Sequence, residues 1–363
     1  MSEAQELEQL RQSIDSIDRQ IQELINQRAR CAQQVAEVKE KYAAPGESVI
    51  FYRPEREAQV LRNVMVRNTG PLPDENMARL FREIMSQCLA LEEPLNVAFL
   101  GPEGTFTQQA AVKHFGHAVC CHSQVSIGDV FREVESGAAN FGVVPVENST
   151  EGVVTHTLDS FFDSNLQICG EVSLRIHHHL MSQAPAQPIE RIYSHAQSLG
   201  QCRRWLDQHY PDVERIALSS NAEAARRASL EPGSAAIAGE VAADLYQLVV
   251  CSANIEDRPD NTTRFLIVGR QATLSSGEDK TSIMVSSRNQ PGALYQVLEP
   301  FHQAGISLTR IETRPARTGT WNYAFFIDFE GHSDDAVIST VLEQLQQVAA
   351  DYKWLGSYPK AVL

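Results

Sequence analysis

At 363 residues the chain is too long for one ordinary hydrophobic core and predicts two or three domains. An apolar content of 43% with 21% charged residues is that of a soluble globular protein. The formal charge of −15 argues against nucleic acid or an anionic membrane as the main partner, and admits a small anionic substrate only where local Arg and Lys clusters oppose the global field.

Seven cysteines without regular spacing or a C-x-x-C pair fit reduced thiols in a cytoplasmic protein and give no zinc pattern. The start, "MSEAQELEQL", is acidic and unlike a signal peptide, and no apolar run approaches the roughly 20 residues of a membrane helix. Three periodicities follow one another and predict three domains, at 1–93, 94–270 and 271–363.

The first segment is helical. Leu7, Leu10, Ile14, Ile17, Ile21, Leu24, Arg28, Cys31, Val35 and Val38 alternate spacings of three and four, a heptad seam broken only by Arg28. A helix over 4–42 is roughly 58 Å long, more than so small a domain can cover, so the seam predicts a second chain and an intertwined dimer. Arg28 in that seam is either a polar register-setting residue or part of a polar pocket. Lys39 lies close to three turns beyond Arg28 on the same face, whereas Arg11 points elsewhere and would have to come from the partner. In "DENMARLFREIMSQCLALEE", Asp74 is the expected N-cap, Phe81, Ile84, Met85 and Cys88 share a face, and Glu92 continues it. A carboxylate on the same face as buried cations favours the pocket.

At these residues the segment resembles the all-helical chorismate mutase domain, through "LRQSIDSID", "NQRARCAQQVAEVK" and "RPEREAQVL". The resemblance implies a domain-swapped dimer that rearranges chorismate to prephenate. That pericyclic reaction needs no nucleophile; it needs a dianion held compact and the charge on its ether oxygen stabilised. By the same resemblance Arg28 and the partner subunit's Arg11 bind carboxylates, Lys39 donates to the ether oxygen and Glu57 holds the ring hydroxyl. Arg56 and Cys88 complete the substrate-binding set. Arg53 stands where the family has Asp, Cys88 where it has Ser, and Glu92 where it has Gln, so Glu92 is expected to act protonated.

From Leu95 to about Val268 short apolar runs alternate with amphipathic stretches, the rhythm of an α/β domain. "LNVAFLGPEGTFTQQAAVKHF" is a strand, a turn carrying Thr105, and a helix whose free N–H groups suit a carboxylate. "GVVPVENSTEGVV" brings Glu147, Asn148, Ser149 and Thr150 to a strand end, either as a capped turn or as a site. "SHAQSLGQC" adds Ser194 and Gln201, and "DNTTRF" adds Asn261, Thr263 and Arg264. "IHHHL" offers His177 and His179 on one face of a strand, which is not a metal pattern.

These motifs, in this order, resemble prephenate dehydratase across 95–268. The resemblance implies a two-lobed α/β cleft like that of periplasmic binding proteins and the conversion of prephenate to phenylpyruvate, with loss of carbon dioxide and water. It makes Thr263 the proton-donating group and Arg264 a carboxylate anchor. An isolated Thr hydroxyl is a very weak acid, so Thr263 is expected to work within a relay supplied by Glu147, with Thr105, Asn148, Ser149, Ser194 and Gln201 lining the cleft.

After the polar segment 269–280 the pattern is βαββαβ, a ferredoxin-like arrangement. Gly292-Ala293-Leu294 and "IETRP" resemble ACT domains of aromatic amino acid enzymes. The resemblance implies phenylalanine binding at a dimer interface by Asn289, Gly292, Ala293, Leu294, Glu312, Thr313 and Arg314; a dimerisation module without ligand is the alternative. Together the three segments resemble bifunctional chorismate mutase–prephenate dehydratases, which implies a cytoplasmic homodimer or higher homo-oligomer without cofactor or metal. A solute-binding protein and a catalytically dead regulatory scaffold are the competing readings.

Overall fold

The computed structural model describes residues 2–44, 49–287, 290–316 and 323–363. The chain begins with three helices, α1 (Glu3–Tyr42), α2 (Pro54–Val66) and α3 (Asp74–Ala90). Gln5 reaches back to the Ser2 N–H at 3.0 Å to start α1, and Pro54 opens α2 where its missing N–H costs nothing. Pro73, not Asp74, is the N-cap of α3. Within one chain α1 buries only Ala36; the seam residues Leu7, Leu10, Ile14, Ile17, Ile21, Leu24, Val35 and Val38 are 45–62% exposed.

A two-lobed α/β unit follows. Its first lobe runs through β1 (Asn96–Leu100), α4 (Phe106–Phe115), β2 (Cys120–Gln124), α5 (Ile127–Ser136), β3 (Phe141–Asn148), β4 (Gly152–Val153), α6 (Thr155–Asp163) and β5 (Gln167–Arg175). The chain crosses at 176–178 into a second lobe of β6 (His179–Ser182), β7 (Arg191–His195), α7 (Ala196–Gln201), α8 (Arg203–His209), β8 (Glu214–Leu218), α9 (Asn221–Ala228), β9 (Ser234–Ala238), α10 (Glu240–Tyr246) and β10 (Val249–Ser252). It returns through 253–261 to β11 (Thr262–Gly269), which inserts antiparallel between β3 and β5. The first sheet is thus ordered β2-β1-β3-β11-β5 and the second β10-β6-β9-β7-β8. Ile176 N–H donates to Asn261 O and Ile255 N–H to His178 O, both at 2.8 Å, so the two crossings lie side by side as a hinge.

The last unit is β12 (Asp279–Ser287), α11 (Ala293–Gln303), β13 (Leu308–Pro315), β14 (Tyr323–Glu330), α12 (Ala336–Val348) and β15 (Asp351–Pro359), an antiparallel sheet ordered β13-β14-β12-β15. The segment before it is anchored: Arg62 of α2 donates to Ser276 O at 3.2 Å and to Glu278 O at 2.8 Å.

One strand shows how the parts lock together. On β11, Phe265 and Ile267 pack with Val97, Phe99, Phe115 and, from the helical unit, Tyr52. Leu266 and Val268 point the other way, into a core shared with Phe326, Leu355 and Tyr358 of the last unit. Alternation along a strand therefore decides which residues of this segment meet the last domain.

Candidate active sites

In the helical unit, Lys39 donates to the carbonyls of Ile50 (3.0 Å) and Phe51 (3.1 Å). Burial lowers its pKa, Glu92 opposes that shift, and Arg53 adds to it. Burial likewise raises the Glu92 carboxyl, against the pull of Lys39 and Arg28. Lys39 and Arg28 thus both act on Glu92. α3 stops at Ala90, so Glu92 does not extend the helical stripe; it sits in a further turn whose N–H donates to Leu89 O at 2.8 Å.

Glu57 belongs to a different cluster. It accepts from Arg82 Nε at 3.1 Å, and Arg82 continues to Lys113 O on α4 at 2.8 Å. Burial raises the Glu57 carboxyl while Arg82 and Tyr52 oppose it. This makes Glu57 a strut between helical unit and first lobe, in place of the expected ring-hydroxyl ligand. Arg56 is exposed, Cys88 is buried in α3, and Arg11 lies exposed about 25 Å along α1 from Arg28, out of reach within one chain.

Between the lobes lies a cleft of about 450 Å³, with Phe106, Val153, Ile176 and Phe265 as apolar wall and Asn148, Glu151, His178, Gln201 and Thr263 as polar wall. Among the described residues no Arg or Lys lines it. The starts of α4 (Phe106, Thr107) and α6 (Thr155, His156) do, and neither helix has a side-chain cap. Uncapped N–H groups at a helix start suit carboxylates.

Asn148 and Thr263 face each other across the β3–β11 ladder, and Asn148 Nδ2 donates to Thr263 Oγ1 at 2.8 Å. Thr263 has no acceptor for its own hydrogen among the described residues, so its O–H is available to a bound molecule. Asn148 Nδ2 also donates to Asn261 Oδ1 (2.9 Å), and Gln201 Oε1 accepts from Asn261 Nδ2 at 3.0 Å.

Two expected cleft residues lie on the opposite face. Register slips between Arg264 and Phe265, so β3 bulges at Val146, and a bulge reverses which side the following residues face. Asn148 is thereby turned into the cleft and Glu147 out of it, within 3.3 Å of Arg310 Nε on β13. Arg264 stands opposite Glu147 and is fully engaged: Nε to Glu171 (2.8 Å), Nη1 to Asp328 (2.6 Å), Nη2 to Tyr358 (3.0 Å). Arg264 is therefore no cleft anchor, and Glu147 no proton source for Thr263.

Three more expected residues serve the frame. Ser149 Oγ accepts from Thr262 N–H at 3.0 Å and closes the turn. Ser194 is fully buried, donating to Asn221 Oδ1 and Ile237 O. Thr105 Oγ1 donates to Leu100 O at 3.2 Å. Conversely the cleft also takes in Glu151, which accepts from Gln201 Nε2 at 3.2 Å, and His178, neither of which the sequence motifs single out. Glu151 was visible in the strand-end motif as its one further carboxylate.

In the last unit Gly292 takes φ = +81° as N-cap of α11, a conformation that favours glycine, with Ala293 and Leu294 beginning the helix. Asn289 lies outside the described residues. On β13, Thr313 is exposed, while Glu312 and Arg314 turn inward. Arg314 grips Asp159 of α6 with two hydrogen bonds, 2.8 and 2.7 Å, so it bridges to the first lobe. Among the described residues no group of three or more His, Cys, Asp or Glu could hold a metal, and no helix is long and apolar enough to cross a membrane.

Comparison with known proteins matches three family models in sequence: Chorismate mutase type II over residues 10–93, Prephenate dehydratase over 97–273 and ACT domain over 281–348. A bifunctional chorismate mutase/prephenate dehydratase of Pseudomonas aeruginosa is 62% identical over 100% of both chains. One from Neisseria gonorrhoeae is 52% identical, covering 97% of each. The crystal structure of a prephenate dehydratase from Arthrobacter aurescens in complex with L-Phe superposes with a TM-score of 0.68 at 33% identity, covering 73% of this chain and 90% of that one.

Proposed function

The chain belongs to the bifunctional chorismate mutase/prephenate dehydratase family, and on that premise we propose where its two reactions occur and which side chains carry them. The protein is an isomerase and a lyase in one chain, converting chorismate to prephenate and prephenate to phenylpyruvate. The first reaction takes place at Arg28, Lys39 and Glu92. Two cations beside a desolvated carboxyl suit a dianion whose charge moves to an ether oxygen, with Lys39 and protonated Glu92 donating to it. Arg28 takes one carboxylate and the partner subunit's Arg11 the other. The exposed apolar seam of α1 supports that homodimer, since it would otherwise face water.

The second reaction occurs in the cleft. The uncapped starts of α4 and α6 receive prephenate carboxylates through backbone N–H groups, in place of the Arg264 anchor. The apolar wall of Phe106, Ile176 and Phe265 leaves the departing carboxylate poorly solvated, which favours its loss as carbon dioxide. The observation that carries this reading is the polarity at Thr263: because Asn148 donates to its oxygen, its hydrogen is left to bond the ring hydroxyl as it leaves. Glu151 is the carboxyl that shares this cavity with Thr263, held there by Gln201 Nε2.

Phenylalanine inhibits through the ACT domain, held at the start of α11 near Gly292, Ala293 and Leu294 and against exposed Thr313 of the partner. Support comes from the L-Phe complex of the Arthrobacter relative. Arg314 is reassigned from ligand to bridge. All seven cysteines are free thiols, which suits a reducing cytoplasm. The test is to give purified protein chorismate and follow both products. Prephenate then phenylpyruvate is expected, with phenylalanine suppressing the second; binding without turnover would overturn the reading in favour of a solute-binding protein.

A further inference from the structure

The hinge between the lobes holds two side chains, Asn261 and His178, whose hydrogen bonds have a direction that follows atom by atom. Backbone N–H groups only donate. Those of Thr150 and Glu151 both meet Asn148 Oδ1, at 2.9 and 3.0 Å, which turns that amide's nitrogen toward Thr263 Oγ1 and Asn261 Oδ1. Asn261, accepting at its oxygen, offers its nitrogen to Gln201 Oε1 at 3.0 Å. Gln201 is fixed independently from the other end, because its nitrogen meets the Glu151 carboxylate at 3.2 Å.

His178 Nε2 lies 2.8 Å from the same Gln201 oxygen, so it must donate. The ring is then the Nε2–H tautomer, with Nδ1 a bare acceptor, buried and without a hydrogen-bond partner among the described residues. A bare buried acceptor is unfavourable, so the tautomer is dictated by the amides rather than by the ring's own surroundings. The residue is held for this: His178 is 1% exposed, its ring meets Phe106 edge-on at 5.6 Å, and its backbone N–H donates to Glu256 Oε2 at 2.9 Å. The chain of bonds spans the whole cleft, from Asn148 and Thr263 on the first lobe through the hinge to Gln201 on the second.

We propose that Asn261 and His178 are positioning residues for the dehydration: they tie together the amides of the two lobes, Asn148 and Gln201, whose polarity Thr150 and Glu151 set, and so keep the Asn148 nitrogen on Thr263 Oγ1 and Thr263 a donor toward the leaving oxygen when the lobes enclose substrate. This rests on the reading of the cleft as the dehydratase site. Neither residue touches the reacting atoms; both act through the amides. Asn261→Asp keeps the shape but removes the donor to Gln201, and only a protonated Asp restores it.

The experiment measures prephenate turnover and, as a fold control, chorismate turnover in the full-length chain. In Asn261→Asp, kcat for phenylpyruvate should fall about tenfold or more at neutral pH with KM changed less than about threefold, the loss of one charge-opposed hydrogen bond. The deficit should shrink as pH falls and the new carboxyl protonates, which a merely structural lesion would not do. His178→Gln, which carries an amide N–H near the Nε2 position, should stay within about threefold of wild type, and His178→Leu should lose about tenfold in kcat. Nitrogen NMR of labelled histidine should report the Nε2–H tautomer at His178. An Nδ1–H tautomer, wild-type kcat in Asn261→Asp, or equal rates for the Gln and Leu variants would overturn the inference. A wild-type protein that leaves prephenate untouched would instead overturn the reading of the cleft on which it rests.

Discussion

At Glu92, burial raises the carboxyl pKa and the charges of Lys39 and Arg28 lower it, and burial prevails. The sign of the consequence is fixed. A raised pKa means the carboxyl carries its proton below that value and can donate to the ether oxygen; as pH rises through it, the donor becomes a repelling anion. Mutase kcat/KM should therefore climb toward acidic pH, and Glu92→Gln, a donor at every pH, should flatten the profile. An unchanged profile in that variant would show that Glu92 does not face the reacting oxygen. The sequence made this residue legible because a carboxylate beside a cation-bearing apolar stripe is conspicuous. It could not reveal that Glu147 faces away from the cleft, because that depends on a one-residue bulge at Val146 that leaves no mark on residue type. Arg264 faces away by plain alternation with Thr263 along β11, a signal that the motif's composition overrode. His178 is hidden for a related reason: alternation in "IHHHL" predicts a strand, whereas 176–178 form the irregular crossing at the hinge.

Among the elements, α1 was the most legible, since a seam over 4–42 becomes a helix over Glu3–Tyr42. The βαββαβ order of the last unit was equally readable from alternation and turns. α3 was less so. Its buried residues are Ala78, Arg82, Ser86 and Cys88, of which Arg82 and Ser86 bond the dehydratase lobe at Lys113 and Ala118, while Phe81, Ile84 and Met85 are half-buried. Periodicity identifies an apolar face but not the neighbour that covers a polar one. The length of α1 leads to a sharper expectation, because Arg11 and Arg28 are about 25 Å apart on one helix and the proposed site needs both. Arg11→Ala and Arg28→Ala homodimers should each be inactive as mutases. Co-expressed, they should recover about a quarter of the wild-type rate, since half of randomly mixed dimers hold one intact site of two. No recovery on mixing would mean that each site is built within one chain.

The whole molecule is less a string of three domains than one body with shared cores. Tyr52 of the helical unit enters the core of the first lobe, and Phe326, Leu355 and Tyr358 of the ACT unit close its other side. Gly356 sits so near Ile168 that any side chain there would meet the backbone of β5. None of this was readable in advance, because contacts between domains depend on which faces remain after each has folded. It gives the proposed inhibition at the ACT unit a route to the cleft. Arg264, tied to Asp328 and Tyr358, is the next residue after Thr263, and Arg314 holds α6, whose start lines the cleft. Behind both reactions stands the claim that Thr263 serves only the second, and its most direct test is to give Thr263→Ala protein chorismate and follow both products. Prephenate should accumulate at the wild-type rate with phenylpyruvate formation reduced at least about a hundredfold, as expected for removal of a group that acts on the leaving oxygen. Phenylpyruvate produced at an undiminished rate would contradict the account.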